Sequence, residues 1–309
     1  MYTLSAHCHQ CALRYKRLVD TFPAPYHCRQ SSWILSFRIK TPMRKQFDVT
    51  VDQSTTAVDA LAGASGLPKQ RIKDAMAKGA CWWTQKGKQV RLRKAKRELK
   101  PGTRIQLFYD DQVLARKPET PTLLENKGRY SVWFKPHGLL SQGSQWGDHC
   151  SLLRLAEIEL NTPCFLVHRL DADAAGLMLI AHDGKAAAAL SELFAGRAMT
   201  KIYRARVAGN LMADDLRLDT PLDGKDSISR VTTLSRDEDS DTTDVQVRIE
   251  TGRKHQIRRH LAGIGHPIVG DRLYGTASAA GLQLTAVELA FRCPVTRKAQ
   301  VFRLPEQRP

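Results

Sequence analysis

Acidic residues are scarce in this chain. Only 31 Asp and Glu stand against 48 Lys and Arg, which leaves a formal net charge of +17 over 309 residues. That excess sets the chain apart from a charge-balanced metabolic enzyme and attracts polyanions, nucleic acid first among them. Long apolar runs are missing as well. Nothing reaches the ~18 residues that a spanning helix needs, so no membrane partner is expected. The first residues carry His, Cys, Gln and Arg where an export signal would need an apolar core, which points to a cytoplasmic protein. The seven cysteines, Cys8, Cys11, Cys28, Cys81, Cys150, Cys164 and Cys293, are odd in number and scattered. A disulfide framework is therefore excluded. There is no internal repeat, and no glycine pattern for a dinucleotide or a phosphate loop.

Hydrophobic residues do make up 42% of the chain, enough for real cores in more than one domain. Residues 1–42 form an extension of uncertain structure. Within it, His7-Cys8-His9-Gln10-Cys11 and His27-Cys28 have metal-ligand spacing. No second Cys-x-x-Cys or spaced histidine pair completes a zinc site, so no metal is expected.

A regular pattern starts near Phe47. Phe47 to Val51 alternates as a strand, and Ser54-Thr55-Thr56 precedes a capped helix from Ala57. A second helix runs from Gln70 to Lys78, with Ile72 and Met76 on one face. A turn at Lys100-Pro101-Gly102-Thr103 leads into a strand from Arg104 to Tyr109. Between these lies a dense run of cations, among them Lys88, Arg91 and Arg93, opposed only by Glu98. Phosphate binding is the reading preferred here over a merely solvated face. Residues 43–112 resemble the αL RNA-binding module that also occurs in a small-subunit ribosomal protein. The usual Asn-Gly turn is replaced by Gln85-Lys86-Gly87-Lys88.

Residues 113–127, with Pro118 and Pro121, read as a linker, and a larger domain spans 128–305. Its many short strands and few helices predict an α+β domain on a mixed, largely antiparallel sheet with flanking helices. Lys135-Pro136-His137-Gly138 reads as a turn with a lysine at a loop tip. Asp183 caps a helix over Ala186 to Phe194, and Lys201 to Val207 alternates, with Tyr203, Ala205 and Val207 on one face. In the helix after Gly252, Ile257, Leu261 and Ile264 share a stripe, with Arg258 or Arg259 at its flank.

Four pieces of this domain carry chemistry. They are His168-Arg169-Leu170-Asp171, Lys201-x-Tyr203, Thr251-Gly252-Arg253-Lys254-His255-Gln256-Ile257-Arg258, and Gly265-His266-Pro267-Ile268-Val269-Gly270-Asp271 with Tyr274-Gly275. Taken alone, the first is an ordinary charged loop followed by a buried strand. Their order and spacing resemble the RluA family of RNA pseudouridine synthases.

The resemblance implies the family's fold and an isomerase without metal or cofactor. Asp171 matches the nucleophile, Arg258 the arginine that pairs with it, and Tyr203 the tyrosine that stacks on the target base and can assist proton removal from the ring carbon. Arg169 matches a residue that fills the space left by the extruded base. Lys135, Lys201, Arg253, His255 and Gln256 become candidate RNA contacts. Two departures stand out: Ala174-Ala175-Gly176 replaces the usual Thr-Ser-Gly, and Leu284-Thr285-Ala286 replaces Leu-His-Ala. Structured RNA is the expected partner of a monomer, ribosomal ahead of transfer RNA. The rivals are a non-catalytic RNA-binding or ribosome-assembly factor, and a metal hydrolase built on His168, Asp171, Asp173 and His182.

Overall fold

A computed structural model describes residues 42–305. β1 (Arg44–Thr50) and the two-residue β2 (Thr55–Thr56) lead into α1 (Ala57–Ser65) and α2 (Lys69–Ala77). α1 starts where it does because the Thr56 side chain accepts the Asp59 N–H, one of the donors a first turn leaves open. Gly66, at φ 68°, ends it. β3 (Cys81–Gln85), β4 (Lys88–Arg91), β5 (Glu98–Leu99), β6 (Arg104–Asp110) and α3 (Asp111–Ala115) complete the small N-terminal region. Its sheet runs β1-β6-β3-β4, antiparallel throughout. Leu61, Ile72, Met76, Ile105 and Leu107 fill the core beneath it.

The larger region contains β7 (Thr122–Asn126), β8 (Tyr130–Lys135), α4 (Leu152–Leu160), β9 (Phe165–Leu166), β10 (Ala175–Ala181) and α5 (Gly184–Ala195). It continues with β11 (Thr200–Ala208), β12 (Asp215–Leu218), β13 (Ser229–Asp237), β14 (Thr242–Ile249), α6 (Gln256–Gly263), β15 (Leu284–Arg292) and β16 (Ala299–Arg303). The sheet order is β12-β13-β14-β11-β15-β10-β8-β7, with β16 on β15 and β9 on β10. Of its named strand pairs, β10–β15 alone is parallel, with Ala175 opposite Thr285 and Gly176 opposite Ala286. The architecture is the expected α+β one.

β10 is buried at all seven positions, which explains why it reads as a continuous apolar run. Leu177 and Leu179 pack with Ala186 and Leu190 of α5, while Met178 and Ile180 pack with Leu152 and Ala156 of α4. A strand held on both faces is a stiff base for the loop that precedes it.

Three expectations need correction. The stretch 113–127 is not all linker, since Val113 to Ala115 finish α3 and Thr122–Asn126 form β7. The α6 stripe ends at Leu261, because Ile264 is the C-cap residue and is exposed. Arg258, expected at most to flank the packed face, lies inside it. The zinc-ligand spacing at Cys8, Cys11 and Cys28 falls outside the described residues. Among the described residues, no helix is long and apolar enough to cross a membrane.

Candidate active site

The loop ahead of β10 turns at Asp171, whose carbonyl accepts the Ala174 N–H at 3.2 Å. Its next carbonyl, that of Ala172, accepts from the Gly138 N–H at 2.8 Å and from Lys135 Nζ at 3.2 Å. Lys135 also donates to the Pro136 and Leu139 carbonyls, at 2.9 and 2.8 Å. Three carbonyls thus replace water around a fully buried ammonium. Burial lowers its pKa to about 8, against the opposing pull of Asp171 and Asp173. Lys135 is therefore not at a loop tip facing RNA. It ends β8 and braces the Asp171 loop from below.

α6 brings in the cation. Its N-cap, His255, sits in the left-handed region at φ 53° and offers no side-chain cap. Gln256 closes the turn instead. Its Oε1 accepts the Thr251 hydroxyl at 2.7 Å and the Arg253 N–H at 3.1 Å, and its Nε2 donates to the Ile228 carbonyl and the Ser229 hydroxyl. Buried and fully engaged, Gln256 is architecture and not an RNA contact.

Two residues on, Arg258 is 2% exposed and lies between two carboxylates. Nε and Nη2 both reach Asp271 at 2.7 Å, while Nη1 reaches Asp171 Oδ2 at 3.3 Å. Asp271 also accepts the Leu273 and Tyr274 N–H groups, at 2.9 and 3.2 Å. The forked pair fixes the guanidinium plane and leaves one donor aimed at Asp171. Burial alone would raise the Asp271 carboxyl, yet Arg258 and these N–H groups bring it below its ordinary value. For Arg258, burial would lower the pKa, but the two carboxylates raise it. The role of Asp271 is the part sequence reasoning missed. The available signal was a Gly-Asp pair in a motif already singled out, together with an arginine that has donors to spare.

Around this pair lies a depression of about 240 Å³, lined by Arg169, Asp171, His255, Arg258, Arg272 and Leu273 among others. It is smaller than the ~300–1,000 Å³ of sites for drug-sized ligands and has room for one small group. Arg169 is exposed at its wall. His255 Nε2 lies 3.7 Å from Asp171 Oδ1, and its Nδ1 is 3.0 Å from the Tyr274 hydroxyl. Burial lowers the His255 pKa, opposed by Asp171 and reinforced by Arg258 and Lys254. Asp173 is turned aside and pairs with Arg272 at 3.1 Å.

Tyr203 rises from β11, half-buried between two apolar clusters. Burial raises its phenol pKa, and the Asp171 charge raises it further.

Other candidates lie elsewhere. Lys201 is buried, and burial followed by Arg197 lowers its pKa, so it is not an RNA contact. Arg253 donates to the Asp226 carbonyl at 2.9 Å, which leaves part of its guanidinium for a ligand. His168 accepts the Leu179 N–H at 2.9 Å and stacks on Phe194, so its ring faces the core and not Asp171. Lys88 is exposed, but Arg91 and Arg93 both grip Asp148 and backbone carbonyls, so they are not free for phosphates.

Residues 129–263 match the model of the RNA pseudouridylate synthase family. The dual-specificity RNA pseudouridine synthase RluA of Vibrio parahaemolyticus is 36% identical over 182 residues, covering 52% of this chain and 73% of that protein. An RNA pseudouridine synthase of Aquifex aeolicus is 31% identical over 251 residues, covering 70% and 79%. The solved structure of human RNA Pseudouridylate Synthase Domain Containing 1 superposes with a TM-score of 0.53 at 20% identity, over 62% of this chain and 86% of that one. It shares the fold. The alignment with the bacterial proteins carries more: this chain belongs to the RluA family of RNA pseudouridine synthases, isomerases that make pseudouridine in RNA.

Proposed function

We propose that the chain isomerises particular uridines in structured RNA, with Asp171 as nucleophile. The observation that carries this reading is a carboxylate on a braced loop, 3.3 Å from a guanidinium locked by Asp271, at the wall of a small open depression. Attack needs the carboxylate ionised, and Arg258 supplies a fixed countercharge for it before attack and after release. Asp171 adds to the ribose or to the uracil ring and the glycosidic C–N bond breaks. The uracil turns, its ring carbon bonds to the sugar, and the bond to Asp171 breaks; the proton on that carbon is lost while the ring nitrogen freed from the sugar gains one. No atom is gained or lost, and no redox partner is needed.

The base must leave its stack to reach Asp171, at a cost of a few kcal/mol. Arg169, exposed at the rim, is suited to fill the vacated space with its flat guanidinium. Tyr203 carries a phenol whose raised pKa keeps it protonated near neutral pH. That favours stacking on the base over service as a standing base.

The target is read as ribosomal RNA first, because a basic N-terminal region suits a large structured substrate. The related RluA proteins are dual-specificity enzymes by name, so transfer RNA is the second reading. The deciding experiment maps pseudouridine in cellular RNA with the gene present, deleted, and restored as wild type or Asp171→Ala. Sites that vanish on deletion and return only with wild type are expected. If no site changes, the reading fails.

A further inference from the structure

The segment between β8 and α4 reaches two places that the catalytic reading does not connect. Its first residues, Leu140, Ser141 and Gln142, line the depression around Asp171. Its later ones, Ser144 to Asp148, lie against the small N-terminal region.

At the outer end, Asp148 is 9% exposed, and its Oδ2 meets both Arg91, at 3.0 Å, and Arg93, while Oδ1 is buried without a hydrogen-bond partner among the described residues. Its N–H donates to the Lys78 carbonyl at 2.9 Å. Arg91 donates to the Ser144 carbonyl at 2.9 Å and lies 4.2 Å from the Trp82 ring, whose Nε1 donates to the Gln145 carbonyl at 3.0 Å. The fit leaves no slack. A Cβ on Gly79 would run into the Asp148 carboxylate, and one on Gly143 into the Asp148 side chain.

The path inwards is equally stiff. Ser144 and Gly147 exchange two backbone hydrogen bonds, at 2.9 and 3.1 Å. The Ser151 hydroxyl donates to the Asp148 carbonyl at 2.7 Å, and the Leu152 N–H to the Leu140 carbonyl at 2.8 Å. At the inner end, the buried Ser141 hydroxyl donates to the Leu170 carbonyl at 2.7 Å and accepts the Leu170 N–H at 3.0 Å. Leu170 directly precedes Asp171.

We propose that Asp148 is a positioning residue for Asp171. Gripped by two arginines of the N-terminal region, it holds the 140–151 segment where Ser141 can fix both backbone groups of Leu170. Both arginines meet Oδ2 and leave Oδ1 buried without a partner among the described residues, so the segment's placement rests on those two contacts and on the close packing at Gly79 and Gly143. The N-terminal region then acts on the reacting centre through the protein, apart from any grip it has on RNA.

The test uses the full chain carrying Asp148→Asn or Ser141→Ala. Single-turnover pseudouridine formation is measured on unmodified transcripts of ribosomal and transfer RNA, beside hydrogen–deuterium exchange of peptides covering 165–175. Both variants are expected to slow the single-turnover rate about tenfold to a hundredfold, with affinity for the same transcripts changed less than about threefold. Exchange at Leu170 and Asp171 should quicken about tenfold. The double variant should be no slower than the worse single one, since both cut the same path. An unchanged rate, a loss confined to affinity, or faster exchange only within 144–150 would overturn the proposal. Should Asp148→Asn fail to fold, Arg93→Lys at the same clamp decides by the same readings. The kinetic arm rests on Asp171 as nucleophile; the exchange arm does not. If wild type itself makes no pseudouridine on any transcript, the functional reading fails while exchange still decides the coupling.

Discussion

Arg258 serves two carboxylates unequally, and the difference matters at the scale of single residues. Asp271 is fully buried and takes the fork, whereas Asp171 is partly open and takes one donor. Replacing Asp271 by Asn keeps the shape but leaves a buried cation short of its countercharge. Such a break costs about 3–5 kcal/mol of stability. The guanidinium also loses its fixed plane, and a misplaced partner costs about a hundredfold in rate. Denaturant unfolding and pseudouridine assays on Asp271→Asn should show both losses together; stability equal to wild type would contradict the anchoring role.

His168 makes a different claim, about acid. Burial, helped by Lys201, lowers its pKa from 6.5 to about 3. Between those values the unfolded chain binds the extra proton and the folded chain does not. Stability therefore falls as pH drops through that window, by up to about 1.4 kcal/mol per unit from this group. Urea unfolding at pH 7, 5 and 4 should show a shallower acid loss in His168→Gln than in wild type. Matching slopes would place the acid sensitivity elsewhere.

At this scale, motif matching singled out Asp171, Arg258 and Tyr203; the structure joins the first two at 3.3 Å, and Tyr203 on β11 feels the Asp171 charge. It could not tell working cations from structural ones. Lys135 and Gln256 carry the same polar groups as a ligand-binding residue but spend them on neighbouring backbone and hydroxyl groups, and Lys201 is buried.

Among the elements, β10 governs how the site is built. Gly176 has φ 120° and lies against the backbone of Ala286 so closely that a Cβ would overlap its N and O atoms. Gly176→Ala should therefore force β10 and β15 apart at the sheet's parallel rung. A cost of at least 1–3 kcal/mol is expected from overpacking alone, with the Asp171 loop displaced as well. Circular dichroism melting and an activity assay would register it, and an alanine variant with wild-type melting would refute it. The neighbouring rung joins Ala175 to Thr285, so the chain's two departures from the family pattern face each other across one ladder.

Helices and long strands were legible because their signals are strong. Thr56 and Asp183 cap where expected, and the apolar run of β10 reads directly. Strands without a sustained burial pattern were not. β13 alternates buried and exposed residues only at its start, and its later Leu-Ser-Arg-Asp is exposed throughout, so period two fades before it can be read. β7 was hidden for the same reason, with a single half-buried residue among its five.

For the molecule as a whole, charge sets the terms of RNA binding. Lys88, Lys94, Lys96 and Lys100 are exposed, whereas Arg91 and Arg93 are committed to Asp148. The dense cation run thus divides into groups that can neutralise phosphates and groups that cannot, a division the sequence hides. In a plot of log affinity against log salt, each of Lys96→Ala and Lys100→Ala should reduce the slope by about 0.7–0.9. Slopes identical to wild type would remove this face from the RNA contact. The same scale bears on synthesis. Asp171 and Arg258 stand 87 residues apart, and the strand that follows the Asp171 loop pairs with β15, near the end of the described chain. Pairings of such high contact order close late. On a ribosome still translating this chain, the basic N-terminal region emerges and can fold long before the reacting centre exists. The nascent protein would carry its exposed lysines into the cell's polyanions while the Asp171–Arg258 pair is still unmade.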